Sequence, residues 1–78
     1  MILTHDERET LLDLILARRF ELHGTSWVGP HGARYFVASV GRLEQLRVAR
    51  VDWSASPVTV SAVLDKAYTL LRSERQSA

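Results

Sequence analysis

Seventy-eight residues make one domain, and a chain this short buries proportionally little of its surface, so association is the expected source of further buried area. Hydrophobic residues at 46% and charged residues at 24% describe a folded globular domain, while a net charge of +1 gives no electrostatic case for nucleic acid or an anionic membrane. Cysteine is absent, which excludes disulfides and thiolate-held zinc or iron-sulfur sites.

The charge is unevenly placed. Residues 1–24 carry three basic and five acidic side chains, residues 25–56 four and two, and residues 57–78 three and two. No basic leader with a cleavage site opens the chain, and no apolar run reaches the roughly 18 residues of a membrane span. A cytoplasmic protein without membrane contact is the expectation.

Met1 to Leu3 reads as a short strand or a flap over the core. Thr4-His5-Asp6-Glu7 has the spacing of a capping box, in which the Thr4 hydroxyl accepts from the Glu7 amide and the Glu7 carboxylate accepts from the Thr4 amide. A first helix is predicted to start there. Asp6, Glu7 and Glu9 near its start and Arg18 and Arg19 near its end complement the helix dipole. Leu11, Leu12, Leu14, Ile15 and Leu16 cover about 200° of the helical wheel, wider than one packing neighbour requires. Such a helix is buried on more than one side, by a sheet and a second helix or by a second subunit. His23-Gly24 ends the segment, with Phe20 to Leu22 either a last turn or the start of a strand.

From Trp27 to Trp53 the chain reads as three antiparallel strands, Thr25 to Val28, Ala33 to Val40 and Leu46 to Trp53, rich in β-branched and aromatic residues. Gly29-Pro30-His31-Gly32 and Gly41 to Gln45 are their connections. A helix over Arg42 to Val51 competes for the last of these, and Val48 and Val51 favour the strand. Ser56 then has the character of an N-cap and Pro57 of a first helical residue. Val60, Val63, Leu64, Ala67, Tyr68, Leu70 and Leu71 fall within about 160° of arc, which predicts a second helix to the neighbourhood of Arg72 and a frayed tail over 73–78. The predicted fold over residues 1–78 is therefore α+β: helix, three-stranded antiparallel meander, helix, with both helices on one face of the sheet. Double-stranded RNA-binding domains share that element order, but Ser56-Pro57-Val58-Thr59-Val60 lacks their lysine-rich second-helix start, so no family membership follows.

Catalytic and ligand motifs are missing. His5, His23 and His31 never share the spacing that puts two ligands on one helical face, so no metal site is expected. No serine sits in a Gly-x-Ser-x-Gly elbow, and Asp13, the one carboxylate among the leucines, has no mate for acid-base work. Gly29-Pro30-His31-Gly32 lacks phosphate-loop spacing, and its proline removes an amide, so no cofactor is expected. An enzyme is not.

One constellation remains: Arg34, Arg42, Arg47 and Arg50 interleaved with Trp27, Tyr35, Phe36 and Trp53. It admits three readings, namely a core fringed by solvated arginines, a protein interface, and a surface for single-stranded nucleic acid. The functional expectation is a non-catalytic protein-binding module, a small regulator, adaptor or inhibitor contacting its partner through Trp27, Arg34, Phe36, Arg42, Arg47, Arg50 and Trp53. A nucleic-acid-binding regulator is the alternative. The unguarded sheet edges and the wide leucine arc also predict a twofold homodimer, with Leu12, Leu14 and Leu16 at its seam.

Overall fold

The capping box forms as its spacing predicts. Glu7 N–H donates to Thr4 Oγ1 at 3.1 Å and Thr4 N–H to Glu7 Oε1 at 3.0 Å, starting α1 (His5–Ala17). Arg18, at φ 76°, stops it in the left-handed region and still donates its N–H to Leu14 O at 2.9 Å. The computed structural model describes residues 2–76, and in it α1 is the first of three helices and precedes the first of five strands.

The remainder departs from the predicted meander. Phe20 to Leu22 belongs to β1 (Arg19–His23), in which Phe20 is buried between two exposed or half-exposed charged residues, a period-2 pattern. Gly24-Thr25 then turns the chain into β2 (Ser26–Val28), with Gly24 at φ 63°, the sign a two-residue hairpin favours at its first central position. Gly24 is thus a hairpin residue and not a helix stop. The predicted strand over Ala33 to Val40 is strand only in β3 (Arg34–Phe36), after which α2 (Val37–Gln45) begins. Gly41, expected in a turn, is helical, and the rival helix over Arg42 to Val51 is displaced toward the N-terminus. Burial explains the displacement: Ser39, Val40 and Leu43 are the buried residues of α2, and only a helix puts them on one side. The predicted third strand shrinks to β4 (Ala49–Asp52).

The helix expected from Pro57 also starts late. Thr59 to Ala62 is β5 (Thr59–Ala62), with Val60 buried and Ser61 exposed, and α3 (Leu64–Gln76) follows. Val60 and Val63 satisfy the helical wheel, but Val60 is needed beneath the sheet. The predicted frayed tail is helical through Gln76, and its remainder lies outside the described residues, as does Met1.

All four strand pairings are antiparallel and the order is β3-β2-β1-β5-β4, so β1, which joins the two hairpins, is the central strand. β3 and β4 therefore run parallel at opposite edges, about 19 Å apart. The chain must cross that width between them. α2, about 13.5 Å long, does so with Leu46 to Val48, lying across one sheet face beside α1. α3 packs chiefly on α1, so the helices that share the sheet face are α1 and α2, which corrects the expectation that the first and last helices lie together on it. The core lies between the sheet and the helices: Leu11, Leu14, Phe20, Val40, Leu43 and Val60 are its largest fully buried side chains. Phe20 and Tyr35 stack with centroids 4.2 Å apart, meeting over Gly29. Leu3 joins the same core, held by Glu74, whose Oε1 accepts from the Ile2 and Leu3 amides at 2.6 and 2.8 Å.

Candidate interaction surface

Residues directly opposed across antiparallel strands share a face, so the register sorts every strand side chain to one side of the sheet or the other. Leu22, Trp27 and Tyr35 form one row toward the helices, and Phe20, Val60 and Val51 another. No helix among the described residues covers the opposite face. Its central row runs through all five strands as Arg34, Val28, Glu21, Thr59 and Asp52. Arg19, Ser61 and Arg50 flank it on one side, and Phe36, Ser26 and His23 on the other. None of these residues is buried.

The residues expected to bind a partner do not share this face. Arg34, Phe36 and Arg50 stand on it, with Phe36 74% exposed at the β3 edge. Trp53 follows β4 at the other edge, 66% exposed. Trp27 is in the core at 3% exposure, pointing at the helices, so its ring is not presented to any surface. Arg42 is exposed on α2, and Arg47, at φ 64°, in the turn after it, so both belong to the helix-covered side. Of the leucines assigned to self-association, Leu14 is fully buried within the chain, Leu12 is half-buried, and Leu16 alone is open, at 82%. The neighbours of α1 account for most of its wide apolar arc: the sheet, α2 and α3 all touch it. Arg19, Glu21, His23, Thr59 and Ser61 also stand on the open face and are not among the residues the sequence points to, because Phe20 to Leu22 reads equally as a last helical turn or a strand start and Thr59 to Ser61 reads as helix. The alternation Arg19-Phe20-Glu21-Leu22-His23 was the available signal.

Charges of both signs are interleaved on the face. Glu21 sits among the arginines and accepts from His23 Nε2 at 3.1 Å, the one ion pair among the described residues when the imidazole is protonated. Asp52 is held below the usual carboxylate range by the Ser54 hydroxyl and amide, which reach its Oδ1 at 2.6 and 3.1 Å. On the helix side, Tyr35 Oη donates to Asp13 Oδ2 at 2.9 Å, which gives Asp13 a structural partner. Burial, then this hydrogen bond, pushes the Tyr35 phenol up to about 12, away from any role as a base. An open groove of about 480 Å³ runs beside that pair, lined by Leu16, Pro30, His31, Ala33 and Tyr35. Among the described residues no three His, Asp or Glu side chains converge to hold a metal ion, and no helix is long and apolar enough to cross a membrane. Comparison with known protein families, curated proteins and solved structures gives no match for this chain.

Proposed function

We propose that this chain is a non-catalytic protein-binding module, a small regulator, adaptor or inhibitor that works in the cytoplasm as a homodimer by occupying a partner's surface. The observation that carries the proposal is the uncovered face of the five-stranded sheet, where Arg19, Arg34 and Arg50 stand with hydroxyl side chains and an exposed Phe36 at the rim. Arginine and aromatic side chains supply most hot spots in protein interfaces, and a twisted five-stranded face offers a broad, preformed platform for them. Nucleic acid fits this face less well. Glu21 and Asp52 interrupt the arginines, and with Trp27 in the core Phe36 is the one aromatic ring that the strand register places on it.

The test compares two charge reversals on different surfaces. In a pull-down from the native host, Arg19→Glu with Arg50→Glu should lose a partner that wild type retains, while Arg42→Glu with Arg47→Glu keeps it. Equal retention by both variants would remove the sheet face from the proposal. Titration with single- and double-stranded oligonucleotides at two salt concentrations should show no binding; salt-sensitive binding lost in the Arg19→Glu, Arg50→Glu variant would transfer the face to nucleic acid.

A further inference from the structure

Every antiparallel strand turns the N–H and C=O of alternate residues away from its neighbour, so the two edge strands must leave some unpaired. At the β4 edge the Val63 N–H donates to Val48 O, and the alternation then turns Ala49 and Val51 outward. Ala49 is only 4% exposed, so this edge is sealed along part of its length. At the β3 edge the Gly29 N–H donates to Ala33 O, which faces Tyr35 toward β2 and turns Arg34 and Phe36 outward. Both of those residues are exposed. This edge is open.

Exposed apolar side chains gather around it. Phe36 stands on its outer side and Val37, 49% exposed, begins α2 directly after it, while Leu16, 82% exposed, shares the groove on its inner side with Ala33 and Tyr35. A short strand with no lysine or proline and three large apolar neighbours is a site for strand pairing.

We infer that the β3 edge pairs with the β3 edge of a second copy, antiparallel about a twofold axis at Tyr35, joining the two sheets into one of ten strands. The inference rests on reading the chain as a self-associating module, and it places the seam at β3 and the end of α1 rather than along the leucine stripe of α1. The register follows from exclusion. An axis at Arg34 would set two guanidinium groups face to face, and an axis at Phe36 would require residue 38, inside α2, to be extended. An axis at Tyr35 lets Arg34 exchange both backbone hydrogen bonds with Phe36 of the partner subunit, and Phe36 with Arg34 of the partner subunit. It also sets each guanidinium beside the partner's exposed ring on the open face, a cation against the negative face of an aromatic. On the inner side Val37 of the partner subunit comes to Ala33 and the groove beside Leu16. A second copy is thus the occupant that this edge complements.

Sedimentation equilibrium over a range of concentrations tests both levels. Wild type should exceed 8.8 kDa and approach twice that mass as concentration rises. Phe36→Lys sets a lysine against the partner's Arg34 and should weaken association by about tenfold or more. Adding Arg34→Glu to it pairs opposite charges in this register alone and should restore the dimer. Phe36→Pro, at a φ of −71° that proline adopts, removes the outward N–H without touching the pairing with β2 and should also dissociate it. Far-UV circular dichroism checks that each variant is folded. A wild type fixed at 8.8 kDa overturns the dimer itself. A dimer unchanged by Phe36→Lys and Phe36→Pro leaves self-association standing and overturns the β3 seam. Dissociation by Phe36→Lys without rescue by the added Arg34→Glu overturns the register.

Discussion

Glu74 is the most consequential single residue outside the apolar core. Its carboxylate is buried on α3, and one oxygen takes both the Ile2 and Leu3 amides across the full length of the chain. Replacing it by alanine leaves a buried Leu3 N–H unpaired and loosens Leu3 from the core, a cost of about 2–3 kcal/mol. Glu74→Gln keeps an acceptor oxygen and should cost less. Urea unfolding of the two variants gives the comparison, and equal losses would mean that charge, not acceptor geometry, holds the N-terminal segment. Tyr35 supplies a pH signature. Its phenol titrates at about 12 in the folded chain against 10.0 when unperturbed, so between those values the unfolded chain gives up a proton that the folded chain keeps. The stabilising contribution is whole below pH 10 and is lost as pH rises toward 12. Tyr35→Phe should flatten that window and cost about 1 kcal/mol at neutral pH through the lost Asp13 bond. Urea unfolding across the alkaline range decides it, and an equally steep alkaline loss in the variant would assign the effect to another group.

Among the elements, α2 shows best where local and global demands part. Val37, Val40 and Gly41 favour strand and turn, yet β3 and β4 lie at opposite edges and the segment between them must span the sheet. A helix is what spans it while burying Val40 and Leu43. That demand arises from strand order, which no local pattern carries, and so α2 was not legible. By contrast α1 was, because a capping box acts within four residues. β5 and α3 were half legible: Val60, Val63 and Ala67 satisfy the helical wheel, and only the burial of Val60 against exposed Ser61 separates strand from helix. The site shows the same limit: Phe20 to Leu22 reads either as a last helical turn or as a strand start, and Thr59 to Ala62 reads as helix, so no local pattern places Arg19, Glu21 and Ser61 on a sheet face, while Trp27, expected at the partner surface, alternates with its neighbours in a way that also allows burial. The mismatch in α2 leaves room for improvement. Gly41 is helical, and a Cβ built there meets nothing within 4 Å. Gly41→Ala should therefore stabilise the domain by about 1 kcal/mol, read as a higher urea midpoint. A lower midpoint would show that α2 needs its glycine to bend across the sheet.

At the scale of the whole molecule, a sheet covered on one face only concentrates stability unevenly. The Leu22 N–H donates to Val58 O, so the alternation places Phe20 and Val60 in a hydrogen-bonded pair at the centre of the sheet, beneath α1 and with both side chains 1% exposed. These two amides open only when the domain unfolds and should exchange most slowly with solvent deuterium. The β3 strand is three residues long, pairs as a strand with β2 alone, and in an isolated chain turns the Arg34 and Phe36 amides to water. In monomers those two should exchange fast while Tyr35, facing β2, is protected. Pairing about Tyr35 reverses this for Arg34 and Phe36 without changing Phe20 or Val60, because it covers the edge and leaves the centre as it was. Exchange measured residue by residue at a dilute and a concentrated sample separates the two states: slowing confined to Arg34, Phe36 and their neighbours on concentration marks the β3 edge as the seam. Slowing at Val51 instead would move the seam to the β4 edge, and rates independent of concentration at both edges would describe a monomer with its sheet open at β3.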